Sequence, residues 1–336
     1  MKKTRYFLMS LAALAVASVT FISCSKKPAA EPGGAGPKQT IVIGFIGKSL
    51  TNDVFQAAQS GAQDAAKELS EKYNVNIELE VRTPNDEDAT KQAEAIEALT
   101  RRGAQGIAVS CSESNTVTPS IDKAVQKGVE VVCFDSDAPE SKRFAYYGTN
   151  DVACGAVIMN ELAKVMRGKG TVAILAGNQS APNLQKRVQG AREALAKFPE
   201  MKLSEPGVFY HVETPEKAAE AVQSAQNANP GIQGWALIGG WPLFTADALK
   251  WPAGSVKVVS CDALPAQLNY IRNGYVEALF AQDCYGWGYK SVELLYEKVV
   301  NKKLPETPVL IDPLTQVGKT NVDEFAKNWE KWLDKD

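Results

Sequence analysis

EVVCFDSDAPE, residues 130–140, runs apolar from Val131 to Phe134 and then stops on Asp135, with Asp137 two positions on. A short unbroken apolar run fits a strand covered on both faces, as in a parallel sheet flanked by helices. In open α/β sheets the residues just past the carboxyl ends of the strands leave the core and face a crevice where ligands sit. Asp135 is therefore expected at such a crevice. VKVVSCDALPA (256–266) repeats the pattern, with Val258 to Cys261 ending on Asp262. Two strands far apart in sequence that finish on Asp point to two similar lobes, each lending a carboxylate to a shared cleft. The alternative is that each Asp caps the helix or turn that follows it.

The same alternation extends in both directions. Apolar runs at Ile41–Gly47, Ile77–Val81, Ile107–Ser110 and Phe144–Gly148 are separated by helical spacing over Val54–Tyr73, Ala89–Arg102 and Val117–Lys127. Beyond them, strands are expected at Thr171–Ala176, Val208–His211, Gly234–Ile238, Val276–Ala281 and Val309–Ile311. Helices are expected at Val152–Arg167, Leu184–Lys197, Pro215–Asn227, Leu243–Lys250, Pro265–Asn273, Gly286–Asn301 and Val322–Leu333. Such alternation means βαβ units and parallel sheets. The body, Thr40 to Asp336, is long enough for two domains.

Ahead of the body, MKKTRYFLMSLAALAVASVTFISC (1–24) places Lys2, Lys3 and Arg5 before an apolar stretch too short for a membrane span. Residues 1–23 read as a secretory signal. Phe21-Ile22-Ser23-Cys24 resembles the bacterial lipoprotein signal, with Cys24 as the lipid attachment residue; Phe21 departs from the usual Leu. Stable anchoring takes more than one acyl chain. Residues 24–39, rich in Pro, Gly and Ala, read as a flexible tether. The formal net charge is −2 with no long basic run, so nucleic-acid binding has no electrostatic footprint. Apart from Cys24, the cysteines are Cys111, Cys133, Cys154, Cys261 and Cys284, at neither metal nor disulfide-framework spacing. They read as small buried hydrophobes, and an odd number leaves at least one unpaired within the chain.

Catalytic motifs mostly fail. Gly47-Lys48-Ser49 ends like a phosphate loop, but the position that needs the first glycine is Val42. No G-x-G-x-x-G follows a strand and no G-x-S-x-G nucleophile elbow occurs. His211 is the only histidine, which excludes His-rich zinc sites. No cofactor or metal is expected. Asp135 and Asp262 remain a conceivable glycosidase pair, to be decided by their separation.

The body resembles the periplasmic sugar-binding proteins of ABC importers, ribose/galactose type. The resemblance rests on IVIGFIGKSLTNDVFQAAQSGAQDAAKEL, LTRRGAQGIAVS, GVEVVCFDSD, AYYGTND, VQGAREAL, VKVVSCDALPA and ALFAQD, which stand in that family's order. Sugar-responsive repressors share the fold, but carry a DNA-binding segment where this chain has an export signal. The resemblance implies two α/β lobes, each a parallel sheet flanked by helices, joined by three hinge crossings near Gly148–Asp151, Gln282–Cys284 and Ile311–Pro313. The N-terminal lobe would be 40–149 plus 283–311, and the C-terminal lobe 150–282 plus 312–336.

Family contacts carry over residue by residue. Asn52 matches a ligand to a sugar hydroxyl and Lys48 a nearby polar contact, where the long cation would pair with a ligand anion or with Asp135. Phe55 matches one of two stacking aromatics; Val54 stands at the other. Asp135 matches the carboxylate that accepts two hydroxyls. Ser136 replaces an Arg of the ribose type, which puts pentose specificity in doubt. In the second lobe Arg187 matches a donor to hydroxyl or ring oxygens. Glu213 falls near a position often aromatic. Trp241 stands where an amide is common and would cover a sugar's apolar face. Asp262 and Gln282 match the remaining polar contacts.

The resemblance implies a non-enzymatic, monomeric receptor that captures a monosaccharide or similar polyol and delivers it to an ABC permease. It would lie in the periplasm or at the cell surface, held to the membrane only by its lipid. The alternatives are a sugar or autoinducer sensor feeding a membrane kinase, and a sugar-active hydrolase.

Overall fold

A computed structural model describes residues 38–179 and 181–333. The signal segment, Cys24 and most of the tether lie outside the described residues. From the start the chain forms β1 (Thr40–Ile46), α1 (Asp53–Tyr73), β2 (Asn76–Val81), α2 (Ala89–Arg101), β3 (Gly106–Val109), α3 (Ser114–Gln126), β4 (Glu130–Phe134) and β5 (Ala145–Gly148). It continues through α4 (Asp151–Val165), β6 (Gly170–Ala176), α5 (Pro182–Leu195), β7 (Met201–Tyr210), α6 (Pro215–Ala228) and β8 (Gly234–Leu237). Then come β9 (Lys257–Cys261), α7 (Pro265–Arg272), β10 (Ala278–Ala281), α8 (Cys284–Asn301), β11 (Val309–Ile311), β12 (Thr315–Val317) and α9 (Val322–Leu333).

These strands build two sheets of the same plan. One has the order β11-β5-β4-β3-β1-β2 and is parallel throughout. The other has the order β12-β10-β9-β8-β6-β7 and is parallel except for β12, which runs antiparallel to β10. Position for position, β4 corresponds to β9 and β5 to β10. The two Asp-ended strands thus occupy equivalent places in two equivalent sheets.

Each sheet is covered by helices, and the interior is apolar on both faces. Phe45 of β1 and Phe134 of β4 are fully buried and stack with ring centroids 5.2 Å apart. Burial of such a side chain contributes roughly 1.5–3 kcal/mol. One contact recurs in both halves. Gly61 of α1 and Gly288 of α8 let those helices meet backbone to backbone: a Cβ on Gly288 would lie 1.7 Å from the Ala58 carbonyl. Gly190 of α5 and Gly155 of α4 do the same in the second half, where a Cβ on Gly155 would meet the Arg187 carbonyl at 1.8 Å.

The chain changes sheet three times: after β5, between β10 and α8, and between β11 and β12. The crossings are tied together. Thr149 Oγ1 donates to Gln282 Oε1 at 2.8 Å, Tyr147 OH donates to Asp283 Oδ2 at 3.2 Å, and the Asp312 amide donates to the Gly148 carbonyl at 2.9 Å. Helix α9 touches both halves. Trp329 Nε1 donates to the Ala263 carbonyl at 2.7 Å, and Ser60 Oγ of α1 donates to the Trp332 carbonyl at 2.6 Å.

Two local expectations are corrected, and one strand is new. Leu243–Lys250 is not a helix; only a 3-10 turn forms, over Trp241–Phe244. The reason is tertiary: Tyr270 OH donates to the Thr245 carbonyl at 2.6 Å and accepts from the Ala248 amide at 2.9 Å, so it takes the groups a helix would have used. Strand β7 begins at Met201 rather than Val208, because its first half pairs with the start of β6. Strand β12, only three residues long and exposed at its first two, carries no local pattern that marks it as a strand.

Candidate functional site

Beyond the carboxyl ends of both sheets lies a cavity of about 1200 Å³, lined from both halves. In each sheet the strand order reverses beside β1 or β6, and ligands of such sheets bind at that point. The loop after β1 is held by Gln92, fully buried, whose Nε2 donates to the carbonyls of Gly47 and Ser110 at 2.9 and 2.7 Å. That loop carries Lys48 and Asn52.

Asp135 and Asp262 close β4 and β9 in the left-handed region, at φ 55° and φ 62°. Among residues with side chains, Asp and Asn tolerate this conformation best. The twist lets the amide stay in the ladder while the carboxylate leaves it. Asp135 N donates to the Tyr147 carbonyl at 3.1 Å, and Asp262 N to the Phe280 carbonyl at 2.9 Å. Both carboxylates line the cavity. Neither caps a helix: Leu264 precedes α7, and Asp135 is followed by a bend.

The second half carries a connected polar network. Arg187 is buried, at 3% exposure. Its Nε donates to Asp151 Oδ1 at 2.8 Å, Nη1 to the Ile238 carbonyl at 3.3 Å, and Nη2 to Gln282 Oε1 at 2.9 Å. Gln282 Nε2 in turn donates to Asp262 Oδ1 at 2.7 Å, and the Gly240 amide donates to Asp262 Oδ2 at 3.2 Å. Burial pushes the Asp262 carboxyl above its ordinary value. Arg187, Gln282 and the Gly240 amide pull it back in part, and the carboxylate of Asp135 adds to the rise. In the first half Ser110 Oγ donates to Asp135 Oδ2 at 2.6 Å.

Lys48 is 6% exposed, and its Nζ lies 3.8 Å from Glu87 Oε1. Burial opposes its charge, but Glu87, Asp135 and Glu213 outweigh burial and hold the ammonium above its ordinary value. Asn52 caps α1, its Oδ1 accepting from the Val54 amide at 3.2 Å, which leaves its NH₂ for the cavity. Phe55 and Trp241 add aromatic lining, with Tyr210, Phe244 and Trp287 also on the cavity wall. The indole of Trp241 lies against Gly239, where any Cβ would come within 1.8 Å of the ring, and meets the His211 ring edge-on at 5.5 Å.

Lys48, Asn52, Phe55, Asp135, Arg187, Trp241, Asp262 and Gln282 thus come together at one cavity. Ser136 does not join them. The left-handed turn at Asp135 carries the chain away, and Ser136 is buried with its carbonyl accepting from the Cys111 amide at 2.9 Å.

Glu213 also lines the cavity, with Oε1 accepting from the Asn178 amide at 2.9 Å. Sequence reading missed Glu87, Asn183 and Trp287, which line it too. Asn183 precedes Arg187 by one helical turn, a spacing that puts both on one face of α5. Glu87 was legible only by comparing the two halves. It precedes the α2 cap residue Asp88, as Glu213 precedes the α6 cap residue Thr214. The cysteines from Cys111 onward are buried and free. Among the described residues no group of three or more His, Cys, Asp or Glu side chains is placed to hold a metal, and no helix is long and apolar enough to cross a membrane.

Comparison with known proteins agrees in extent with this architecture. A family model described as periplasmic binding protein domain matches residues 43–303. The chain is 26% identical over 226 residues to the D-apiose import binding protein of Actinobacillus succinogenes, covering 67% of this chain and 66% of that protein's length. It is 25% identical over 278 residues to the ribose import binding protein of Escherichia coli, covering 82% and 89%. Among solved structures, an ABC transporter solute-binding protein from Burkholderia graminis, in complex with D-arabinose, superposes with a TM-score of 0.78. It is 26% identical, and the superposition covers 85% of this chain and 98% of that one.

Proposed function

The chain belongs to the periplasmic binding protein family, and from that premise we propose that it is a non-enzymatic receptor that captures a monosaccharide or similar polyol between its lobes and delivers it to an ABC importer. One observation carries this most: corresponding strands of two corresponding sheets deliver Asp135 and Asp262 to one cavity, each through a left-handed turn. A sugar presents hydroxyls that donate and accept, and flat C–H faces. The carboxylates accept, Arg187 and the amides of Asn52 and Gln282 donate, and Phe55 and Trp241 cover the faces.

The cavity exceeds the roughly 300–1,000 Å³ usual for small-molecule sites. A small solute is enclosed only when the lobes approach. We place the moving bodies at 40–149 plus 283–311 and at 150–282 plus 312–336, hinged at the three crossings. Gln282 sits at one crossing and contacts Thr149, Arg187 and Asp262, so it links closure to the occupied site. In this proposal residues 1–23 direct export, Cys24 carries the lipid, and residues 24–39 let a monomer range over the membrane surface to its permease.

Thermal unfolding of the protein against pentoses, hexoses, deoxysugars and cyclitols tests the proposal. A solute that binds only the folded state stabilises it by about 2.7 kcal/mol at a hundredfold excess over Kd. One clear shift, with the solute recovered unchanged, is the expected result. Turnover of a glycoside would replace it with the hydrolase alternative. No shift anywhere in the panel would remove the sugar receptor and favour a sensor of a different ligand.

A further inference from the structure

The cleft is acidic in a patterned way. Glu87 and Glu213 hold equivalent places in the two halves, each directly before the cap residue of the helix that follows the edge strand. Asp135 and Asp262 hold equivalent places at the ends of β4 and β9. These two matched pairs therefore face the same cavity from both halves, and Asp53, Asp86 and Glu113 of the first half line it as well.

The cations lining the cavity are Lys48 and Arg187, and neither leaves positive charge to spare. Arg187 is neutralised by Asp151 at 2.8 Å, and its other bonds go to Ile238, Cys261 and Gln282. Lys48 has Glu87 at 3.8 Å and feels Asp135 and Glu213 as well. A ligand anion would meet an excess of carboxylates, so Lys48 is not the seat of an anionic group. A neutral polyol would leave facing carboxylates to repel as the lobes close.

A second feature points the same way. Asn183 lines the cavity and is 9% exposed, and its Oδ1 has no hydrogen-bond partner in the protein. It is one more buried acceptor in a wall already rich in acceptors. Such a wall calls for a ligand that brings donors, and an ammonium group brings three and accepts none.

We propose that the cleft selects a polyhydroxylated ligand bearing one amino group, of the amino-sugar or aminocyclitol class, with the ammonium held between the carboxylates that the two lobes supply. This deepens the sugar-receptor proposal above and rests on it. The hydroxyls are still held by Asp135, Asp262, Asn52 and Gln282. The added charge is what lets the acidic walls approach.

Calorimetric titration of the full chain tests this with D-glucosamine, D-galactosamine and D-mannosamine. Each is paired with its neutral parent hexose and its N-acetyl derivative, which keeps the nitrogen but loses the charge. D-ribose, D-arabinose, D-xylose and myo-inositol complete the set. The expected result is one amine bound at least about tenfold tighter than both its parent and its N-acetyl form. That preference should shrink in high salt, and shrink again in Glu87→Gln and in Glu213→Gln. If a neutral member binds and its amine binds equally or more weakly, the amine specificity is overturned while the sugar receptor stands. The amine specificity also falls if the preference is unmoved in both variants. If nothing in the set binds, both are overturned together.

Discussion

Replacing Asp135 by Asn removes one charge and little else. Asn tolerates the backbone at φ 55° about as well as Asp does. The side chain keeps its shape, and its oxygen can still accept from Ser110 Oγ, now at 2.6 Å from the carboxylate. What is lost is the charge on the hydrogen bonds to a bound solute. Bonds to a charged group contribute about 1.5–3 kcal/mol each, against about 0.5–1.5 kcal/mol for neutral pairs. With two ligand donors on the carboxylate, Asp135→Asn should weaken binding by about 1–3 kcal/mol, roughly fivefold to over a hundredfold. The stability of the free protein should hold within about 1 kcal/mol, because the change gives up an attraction to Lys48 but relieves a repulsion with Asp262. Asp135→Ala differs in kind. It strands the Ser110 hydroxyl, at about 1–3 kcal/mol, and leaves a left-handed residue with no side-chain bond to support it, at about 1–2 kcal/mol. It should lose stability and affinity together. Titration calorimetry with the solute found in the panel, beside thermal unfolding without it, separates the two variants. Affinity of Asp135→Asn within twofold of wild type would refute the carboxylate's role. Equal destabilisation by both variants would refute the account of its backbone.

Three further outcomes follow from the geometry. Arg187→Met leaves Asp151 buried without its cation and should cost about 3–5 kcal/mol in urea unfolding; a loss under about 1 kcal/mol would show that the pair is not what holds α4 to α5. Gly288→Ala drives a methyl group into the Ala58 carbonyl and should cost about 1–3 kcal/mol or more. Gly231→Ala, which meets nothing within 4 Å, serves as its control and should be neutral. The third concerns pH. Asp262 binds its proton more tightly folded than unfolded, because burial raises its folded value above the ordinary 3.8. Its contribution is fully present below that ordinary value and is lost as pH rises through the folded value. Wild type should therefore lose stability relative to Asp262→Asn as pH rises from about 4 through the raised folded value; parallel curves of melting temperature against pH would count against the buried, charged Asp262.

The alternation of strands and helices was legible in the chain because periodicity is a local property. A strand covered on both faces must be apolar along its length, so Val131–Phe134 and Val258–Cys261 announce themselves, and so does the Asp that ends each. The resemblance to sugar-binding proteins supplied Lys48, Asn52, Phe55, Asp135, Arg187, Trp241, Asp262 and Gln282, and all of these but Phe55 and Arg187 sit at a strand end or in the segment just after it. What tertiary structure alone decided were matters between distant segments. Tyr270 abolishes the expected helix at Leu243–Lys250 from 25 residues beyond Thr245, which no local pattern reveals. Gly61 and Gly288, or Gly155 and Gly190, read singly as weak points in helices; paired in space, they are where backbones touch. The acidic character of the cleft is of the same kind. Glu87 and Glu213 are ordinary charges before helix caps until two copies of one sheet order turn them toward the same cavity. Local chemistry determines which element forms, but the charge of a site is a sum over residues that only the topology brings together.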